Sequence, residues 1–199
     1  MNAKFLDLKV EKQDRIINAA LKIFAINGYD HASTDDIVKE AQISKGLLFH
    51  YFDSKIGVYS FICDYCVKCF KLELDTSVNP SEKDYFKVLE MIEYAFMGTL
   101  ERYPYFTYFV DTCNKETNEE ALSHMEEYKS LYEYSINAVL SRPDSTIVDS
   151  NPNSEMIFNM YKCTVNAMVQ KNLREGTFSP KGQYEENLSY LRQIRKLFD

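Results

Sequence analysis

Apolar residues recur along this chain at three- and four-residue spacing, which is the signature of amphipathic helices. From Glu11 to Asn27 the repeat is Ile16, Ile17, Ala20, Leu21, Ile23 and Phe24, and Gly28 is placed to end that helix in the left-handed conformation. Ser33 then opens a second, short helix to about Ala41, with Asp36 three residues on as in a capping box. Gln42 and Ile43 form a turn, and Ser44 caps a third short helix over Lys45 to Tyr51. After Asp53 and Ser54 a long helix runs from Lys55 to about Leu74.

Thr76 to Pro80 breaks the pattern. Beyond it, Ser81 and Asp84 signal a helix with the stripe Tyr85, Phe86, Leu89, Ile92 and Phe96, stopping near Tyr103–Pro104. Phe106 to Lys115 reads as a short helix, and Asn118 caps a longer one carrying Leu122, Met125, Leu131, Tyr132 and Val139. Arg142 to Asn153 reads as a loop, Ser154 to Glu175 as a helix ending at Gly176, and Gln183 to Phe198 as the last helix. With no strand pattern and no internal repeat, the expected fold is all-α with about nine helices. The expected organisation is a small domain over 1–54, with its helix-turn-helix region at about 10–70, and a larger helical domain over 55–199.

Composition agrees with long helices: 199 residues contain only 6 Gly and 5 Pro but 28 aromatics, 13 Phe and 15 Tyr. No uncharged apolar run approaches the roughly 18 residues of a membrane span, and Met1 to Lys12 lacks the apolar core of a signal peptide. A cytoplasmic protein with no membrane partner is expected, and five cysteines fit reduced thiols better than a disulfide framework. The net charge of −7 argues against nucleic acid until it is divided along the chain. Residues 1–60 hold 8 basic and 8 acidic side chains, and residues 61–199 hold 15 and 22. The acidity lies outside the first 60 residues, and a neutral module binds DNA if its basic groups share a face.

Helix, short turn and helix within Ser33 to Tyr51 match the size of a DNA-reading unit, in which the second helix presents its N-terminal residues to the major groove. Ala41 permits a close helix crossing, Ile43 and Leu48 bury the junction, and Gly46 keeps the start of the reading helix slim. Ser33, Thr34 and Ser44 stand at helix N-termini, where backbone N–H groups and the helix dipole attract phosphate. Lys45, His50, Tyr51 and Lys55 add charged or hydrogen-bonding groups.

The run from Ile16 to Lys55, including AALKIFAINGYDHASTDDIVKEAQISKGLLFHYFDSK, resembles the N-terminal domain of the TetR family of bacterial transcriptional regulators. The similarity rests on Ala19-Ala20-Leu21, Phe24, Gly28-Tyr29, Thr34, Ile37, Ala41, Ile43 to Gly46, Tyr51-Phe52 and Lys55, and covers about 45 residues. The resemblance implies a homodimer reading a palindromic double-stranded DNA operator, a repressor by default, released by a small-molecule effector. It places Thr34, Ser44, Tyr51 and Lys55 at phosphates and Lys45, Gly46, Leu47, Phe49 and His50 at or near bases. Two positions depart from the family: Gln42 stands where Gly is frequent, and Phe49 where Tyr is usual. A left-handed Gln42 would cost on the order of 1 kcal/mol. Phe49 either touches a thymine methyl group or packs inside the domain.

The resemblance also implies an effector pocket among the middle helices, for which Tyr94, Met97, Tyr103, Phe106, Phe109, Met125, Tyr128, Tyr132, Tyr161 and Met168 are candidates; the same residues would equally serve as core. Their aromatic and thioether character suits a hydrophobic or planar effector. Dimerisation is expected through the last two helices, with stripes Ile157, Tyr161, Thr164, Met168 and Leu188, Leu191, Ile194, Phe198, unless both face the protein's own core. Cys63, Cys66 and Cys69 lie along one side of a helix, where they either pack as small apolar residues or act as thiols toward a soft metal or an oxidant. No fourth metal ligand is evident, so no metal and no cofactor are expected. An enzyme is not expected, since no phosphate loop, nucleophile elbow or HExxH motif occurs. The alternative is a helical interaction or sensor module without sequence-specific DNA binding.

Overall fold

The structure is a computed structural model, and it describes residues 3–198; Met1, Asn2 and Asp199, at the outer ends of the two expected domains, lie outside the described residues. Among the described residues there are eleven helices and no strand. They are α1 (Ala3–Leu6), α2 (Val10–His31), α3 (Thr34–Ala41), α4 (Lys45–Phe52), α5 (Lys55–Ser77), α6 (Tyr85–Arg102), α7 (Phe106–Cys113), α8 (Glu119–Leu140), α9 (Thr146–Asp149), α10 (Ser154–Glu175) and α11 (Pro180–Arg195). Nine correspond to the helices expected from periodicity. The other two, α1 and α9, are single turns too short to carry a repeat.

Local chemistry fixes several of the helix ends. Ser33 Oγ accepts from Asp35 N–H (3.1 Å), Ser44 Oγ from Leu47 N–H (3.2 Å) and Asn118 Oδ1 from Ala121 N–H (3.0 Å). Gly176 ends α10 in the left-handed conformation at φ 70°. The α11 helix starts three residues before the expected Gln183, because Pro180 takes the first helical position, where its missing N–H costs nothing, and Ser179 caps it. Gly28 interrupts α2, but at φ 67°, ψ −178°, a region open only to glycine, rather than in the left-handed helical well. Gln42 does adopt that well, at φ 52°, ψ 50°.

Packing divides the chain into two compact units, 1–68 with 102–130, and 69–101 with 131–199. In the first unit α2 contributes Ile16, Ile17, Ala20, Leu21 and Phe24 to a core joined by Ile37 of α3, Leu48 and Phe52 of α4 and Tyr59 of α5. The α7 helix packs along α2, and Thr112 Oγ1 donates to the Ala25 carbonyl (2.8 Å). The short α1 inserts Phe5, fully buried, between the rings of Phe52 (5.0 Å) and Phe61 (4.9 Å).

In the second unit Phe86, Ile92, Ala95, Phe70, Val169 and Leu191 form the core. Of the residues in the expected dimer stripes, Leu191 is buried, Thr164 is exposed and the other six are half-buried. Phe198 stacks on Phe158 (5.7 Å), and Tyr161 donates to Glu93 (2.7 Å). The exposed residues of α10 include a line of Met156, Met160, Cys163, Thr164 and Ala167, with Met156 and Met160 56% and 64% accessible.

Candidate nucleic-acid interface

The first unit displays α3 and α4 as two eight-residue helices joined by a tight turn. The turn closes because left-handed Gln42 lets its own N–H bond to the Lys39 carbonyl (3.2 Å) and that of Ile43 to the Val38 carbonyl (3.0 Å). The α4 helix has two chemically distinct faces. Leu48 and Phe52 are buried, while Ser44, Lys45, Gly46 and His50 are exposed and Leu47, Phe49 and Tyr51 are half-buried. No atom lies within 4 Å of where a Gly46 Cβ would stand, so that side of the helix is open to an approaching surface.

The ten residues expected to meet DNA fall into three groups. Ser33, Thr34, Ser44, Lys45 and Gly46 gather at the N-terminal ends of α3 and α4, where Lys45 Nζ pairs with Asp35 Oδ1 (2.8 Å). Leu47, Phe49, His50 and Tyr51 continue along α4, with the His50 and Tyr51 rings 5.1 Å apart and Tyr51 also against Phe5 (5.8 Å). Lys55, half-buried, is turned back onto the domain: Nζ donates to the Asp30 carbonyl (3.1 Å) and lies 4.5 Å from the Tyr29 ring centroid.

Two features behind this face escape a sequence reading. The α4 helix ends in a γ-turn centred on Asp53, at φ 61°, ψ −40°, with Ser54 N–H donating to the Phe52 carbonyl (2.6 Å). Gly57 sits against that carbonyl so closely that a Cβ there would overlap its oxygen. The second is an acidic clamp. Glu116 Oε2 accepts from Tyr29 N–H (3.0 Å) just after Gly28, and Tyr29 Oη donates to Glu120 (2.7 Å). Burial pushes the Glu116 carboxyl up, but bonds from the N–H groups of Asn118, Tyr29 and Thr117 outweigh it and hold the group below its ordinary value. Burial, then the bond to Glu120, push the Tyr29 phenol well up. A groove of about 390 Å³ adjoins the γ-turn, lined by Tyr51, Phe52, Phe61, Asp64, His124 and Tyr128 among others.

Residues 16–59 match the model of the bacterial regulatory proteins of the tetR family. The chain carries the N-terminal domain of the TetR family. The matched segment runs from within α2 to the first turn of α5 and takes in every residue of the exposed α4 face. The chain is 31% identical over 134 residues to YuxN, an HTH-type transcriptional regulator of Bacillus subtilis, covering 61% of this chain and 46% of that protein. It is 40% identical over 57 residues to IcaR of Staphylococcus aureus, the negative transcriptional regulator of the biofilm operon icaADBC, covering 29% of this chain and 28% of IcaR. The chain thus spans less than half the length of either relative. The crystal structure of the transcriptional regulator FadR from Bacillus subtilis in complex with stearoyl-CoA shares the fold, with a TM-score of 0.59 at 15% identity over 89% of this chain and 96% of that one. These relatives are regulators of transcription, not enzymes.

The ten candidate effector residues divide evenly between the units. Tyr103, Phe106, Phe109, Met125 and Tyr128 belong to the first, where Tyr103 Oη donates to Asp14 (3.2 Å) and Met125 Sδ accepts from Tyr59 Oη (3.6 Å). Tyr94, Met97, Tyr132, Tyr161 and Met168 belong to the second. There Tyr94 is half exposed against Tyr184, the Tyr132 ring lies tilted against Phe70 (5.3 Å), and Met168 accepts from Tyr190 Oη (3.5 Å). Glu93, which sequence reasoning did not single out, takes bonds from Tyr161 and from Asn187 Nδ2 (2.7 Å each); burial nonetheless raises its carboxyl above the ordinary value. Its only prior signal is a lone acid within an apolar stripe. Cys63 and Cys66 are buried, and among the described residues no group of three or more His, Cys, Asp or Glu is placed to hold a metal ion. No helix among the described residues is long and apolar enough to cross a membrane.

Proposed function

We propose that this chain is a transcriptional repressor that binds a palindromic operator as a homodimer and is released by a small, largely hydrophobic effector. The observation that carries the proposal is the division of α4: Leu48 and Phe52 anchor it, while Ser44, Lys45, Gly46 and His50 are presented outward beside the capped N-terminus of α3. A capped N-terminus offers N–H donors and a positive dipole end to phosphate, and an outward-facing N-terminal turn is what a major groove admits. Ser33, Thr34, Ser44, Tyr51 and Lys55 are the phosphate-side groups, and Lys45, Gly46, Leu47, Phe49 and His50 the base-side groups. Lys55 reaches a phosphate only by leaving Tyr29 and the Asp30 carbonyl.

The repressor sense takes support from IcaR, a negative regulator, and the effector from FadR, whose solved complex holds stearoyl-CoA. The reading domain over 1–54 would be the output and the remainder the sensor, in a cytoplasmic protein with access to DNA. The effector shifts the balance toward a form that holds two reading heads at the wrong spacing, by no more than its differential affinity for the two forms. The homodimer would form at the last two helices, with the exposed line Met156, Met160, Cys163 and Ala167 on α10 as its main contact. Its offsets of four, three and four residues make a seam of the kind that packs against a second helix.

Selection of bound sequences from random duplex DNA by the purified full-length protein tests this function. Enrichment of a palindrome with half-sites about one helical turn apart is expected. Enrichment without any sequence preference would instead favour an interaction module that lacks specific DNA binding.

A further inference from the structure

The groove beside the γ-turn lies wholly within the first unit and is walled by three elements. The end of α4 and the γ-turn give Tyr51, Phe52 and Asp53, α5 gives Phe61 and Asp64, and α8 gives Tyr128. Of the effector candidates it takes in only Tyr128. Its volume of about 390 Å³ falls in the range of small-molecule sites.

The charge of the lining restricts what the groove can hold. It has two carboxylates, Asp53 and Asp64, one imidazole, His124, and no lysine or arginine. Asp64 is only 8% exposed, so little water screens it from the groove. Its partner Lys68 meets Oδ1 (2.6 Å) from outside the lining. A carboxylate accepts at both oxygens, so Asp64 can serve a second cation beside Lys68. The groove also lies at the C-terminal end of α4, the negative end of the helix dipole. Aromatic surface restricts the occupant further. The centroids of Tyr51 and Phe52 are 6.3 Å apart and those of Phe52 and Phe61 5.0 Å, so three rings run in succession, and α8 adds Tyr128. A cation is attracted to a ring face within about 6 Å of its centroid. The same unit already holds one such pair, Lys55 over Tyr29 at 4.5 Å.

We infer that this groove binds a small organic cation, an ammonium group on an aromatic or short alkyl body. The ammonium stands toward Asp64 and the rings, and the body covers Phe52 and Phe61. An anion would face two carboxylates, and a neutral apolar molecule would desolvate Asp64 without compensating it. The site is additional to the hydrophobic effector proposed above and does not rest on DNA binding. A seated cation joins the γ-turn that follows α4 to α8.

NMR titration of the deuterated full-length protein, labelled at isoleucine methyls and backbone amides, tests the site. The probes are benzyltrimethylammonium, 2-phenylethylamine and hexyltrimethylammonium, with benzyl alcohol and benzoate as neutral and anionic controls. At least one cation should shift the Ile56 methyl and the Gly57 amide, both in the lining, saturably and about tenfold more tightly than benzyl alcohol, with benzoate inert. Asp64→Asn should weaken that cation about tenfold and Tyr128→Ala about threefold. Tyr128 is half-buried on α8, so its variant reads the site even if Asp64→Asn folds poorly. No saturable shift with any of the three cations would overturn the inference. So would shifts confined to 69–101 and 131–199, benzyl alcohol binding as tightly as the cations, or cation binding unchanged in both variants.

Discussion

Lys45 Nζ and Asp35 Oδ1 face each other across the turn of the helix-turn-helix at 2.8 Å, with both side chains more than half exposed. In the free protein Asp35 therefore occupies a cation that the proposed interface assigns to DNA, and it also repels phosphate. An exposed pair of this kind contributes about 0–1 kcal/mol to folding. Asp35→Asn should leave the urea midpoint nearly unchanged and raise affinity for the selected duplex about threefold to tenfold, with a steeper salt dependence. Fluorescence anisotropy at several salt concentrations measures both. Equal affinity for variant and wild type would remove Lys45 from the interface.

Gly46 and Gly57 stand at opposite extremes of available space, and alanine separates their roles. At Gly46 a methyl meets nothing within 4 Å, so Gly46→Ala should stabilise the free protein by up to about 0.5 kcal/mol through helix propensity, yet weaken duplex binding by filling the gap left for the groove. At Gly57 the methyl overlaps the Phe52 carbonyl of the γ-turn, so Gly57→Ala should cost about 1–3 kcal/mol. Urea unfolding of both proteins, with anisotropy for the first, checks the pair. A Gly46→Ala protein that binds like wild type would show that this side of α4 does not approach DNA.

Two carboxyls should pull stability in opposite directions with pH. Glu93 is raised in the folded protein, so its contribution is fully present below the ordinary glutamate value near 4.5 and fades as pH climbs through the higher folded value. Glu116 is lowered, so its contribution is present above 4.5 and fades as pH falls through the lower folded value. The stability of wild type minus that of Glu93→Gln should decline from pH 4 to pH 8. The same difference for Glu116→Gln should grow as pH rises from 3 to 6. Urea titrations across that range read both slopes, and a Glu93 difference that grows with pH would contradict a desolvated carboxyl.

The exposed Met156, Met160, Cys163, Ala167 line makes a third expectation concrete. Met160→Arg places a charge in its middle at a position 64% accessible, so the subunit should keep its helix content. If two copies pair along this line, wild type sediments as a dimer at micromolar concentration and Met160→Arg as a monomer. A Met160→Arg protein that remains dimeric would move the dimer contact elsewhere.

Short-range chemistry was legible in the sequence. Ser33, Ser44 and Asn118 cap the helices they precede, Gly176 ends α10, and Gln42 takes the left-handed turn, because each depends on a few neighbouring backbone groups. The Ser33 to Lys55 string placed the candidate interface for the same reason. Features that depend on which distant residue arrives were not legible. Phe5 completes the head core from a single-turn helix, and Glu116 clamps Tyr29 across 87 positions. The stripes on α10 and α11 showed the same limit. Periodicity identifies an apolar face but not its partner, and here Leu191 and Phe198 turn to their own unit.

Amide hydrogen exchange of the full-length protein, with and without the selected duplex, tests most directly whether α4 is the surface that meets DNA. Slower exchange on binding is predicted for peptides covering 33–36 and 44–51, at the capped starts of α3 and α4 and along the exposed α4 face. Unchanged exchange in 44–51 with protection elsewhere in the chain would contradict the proposed interface.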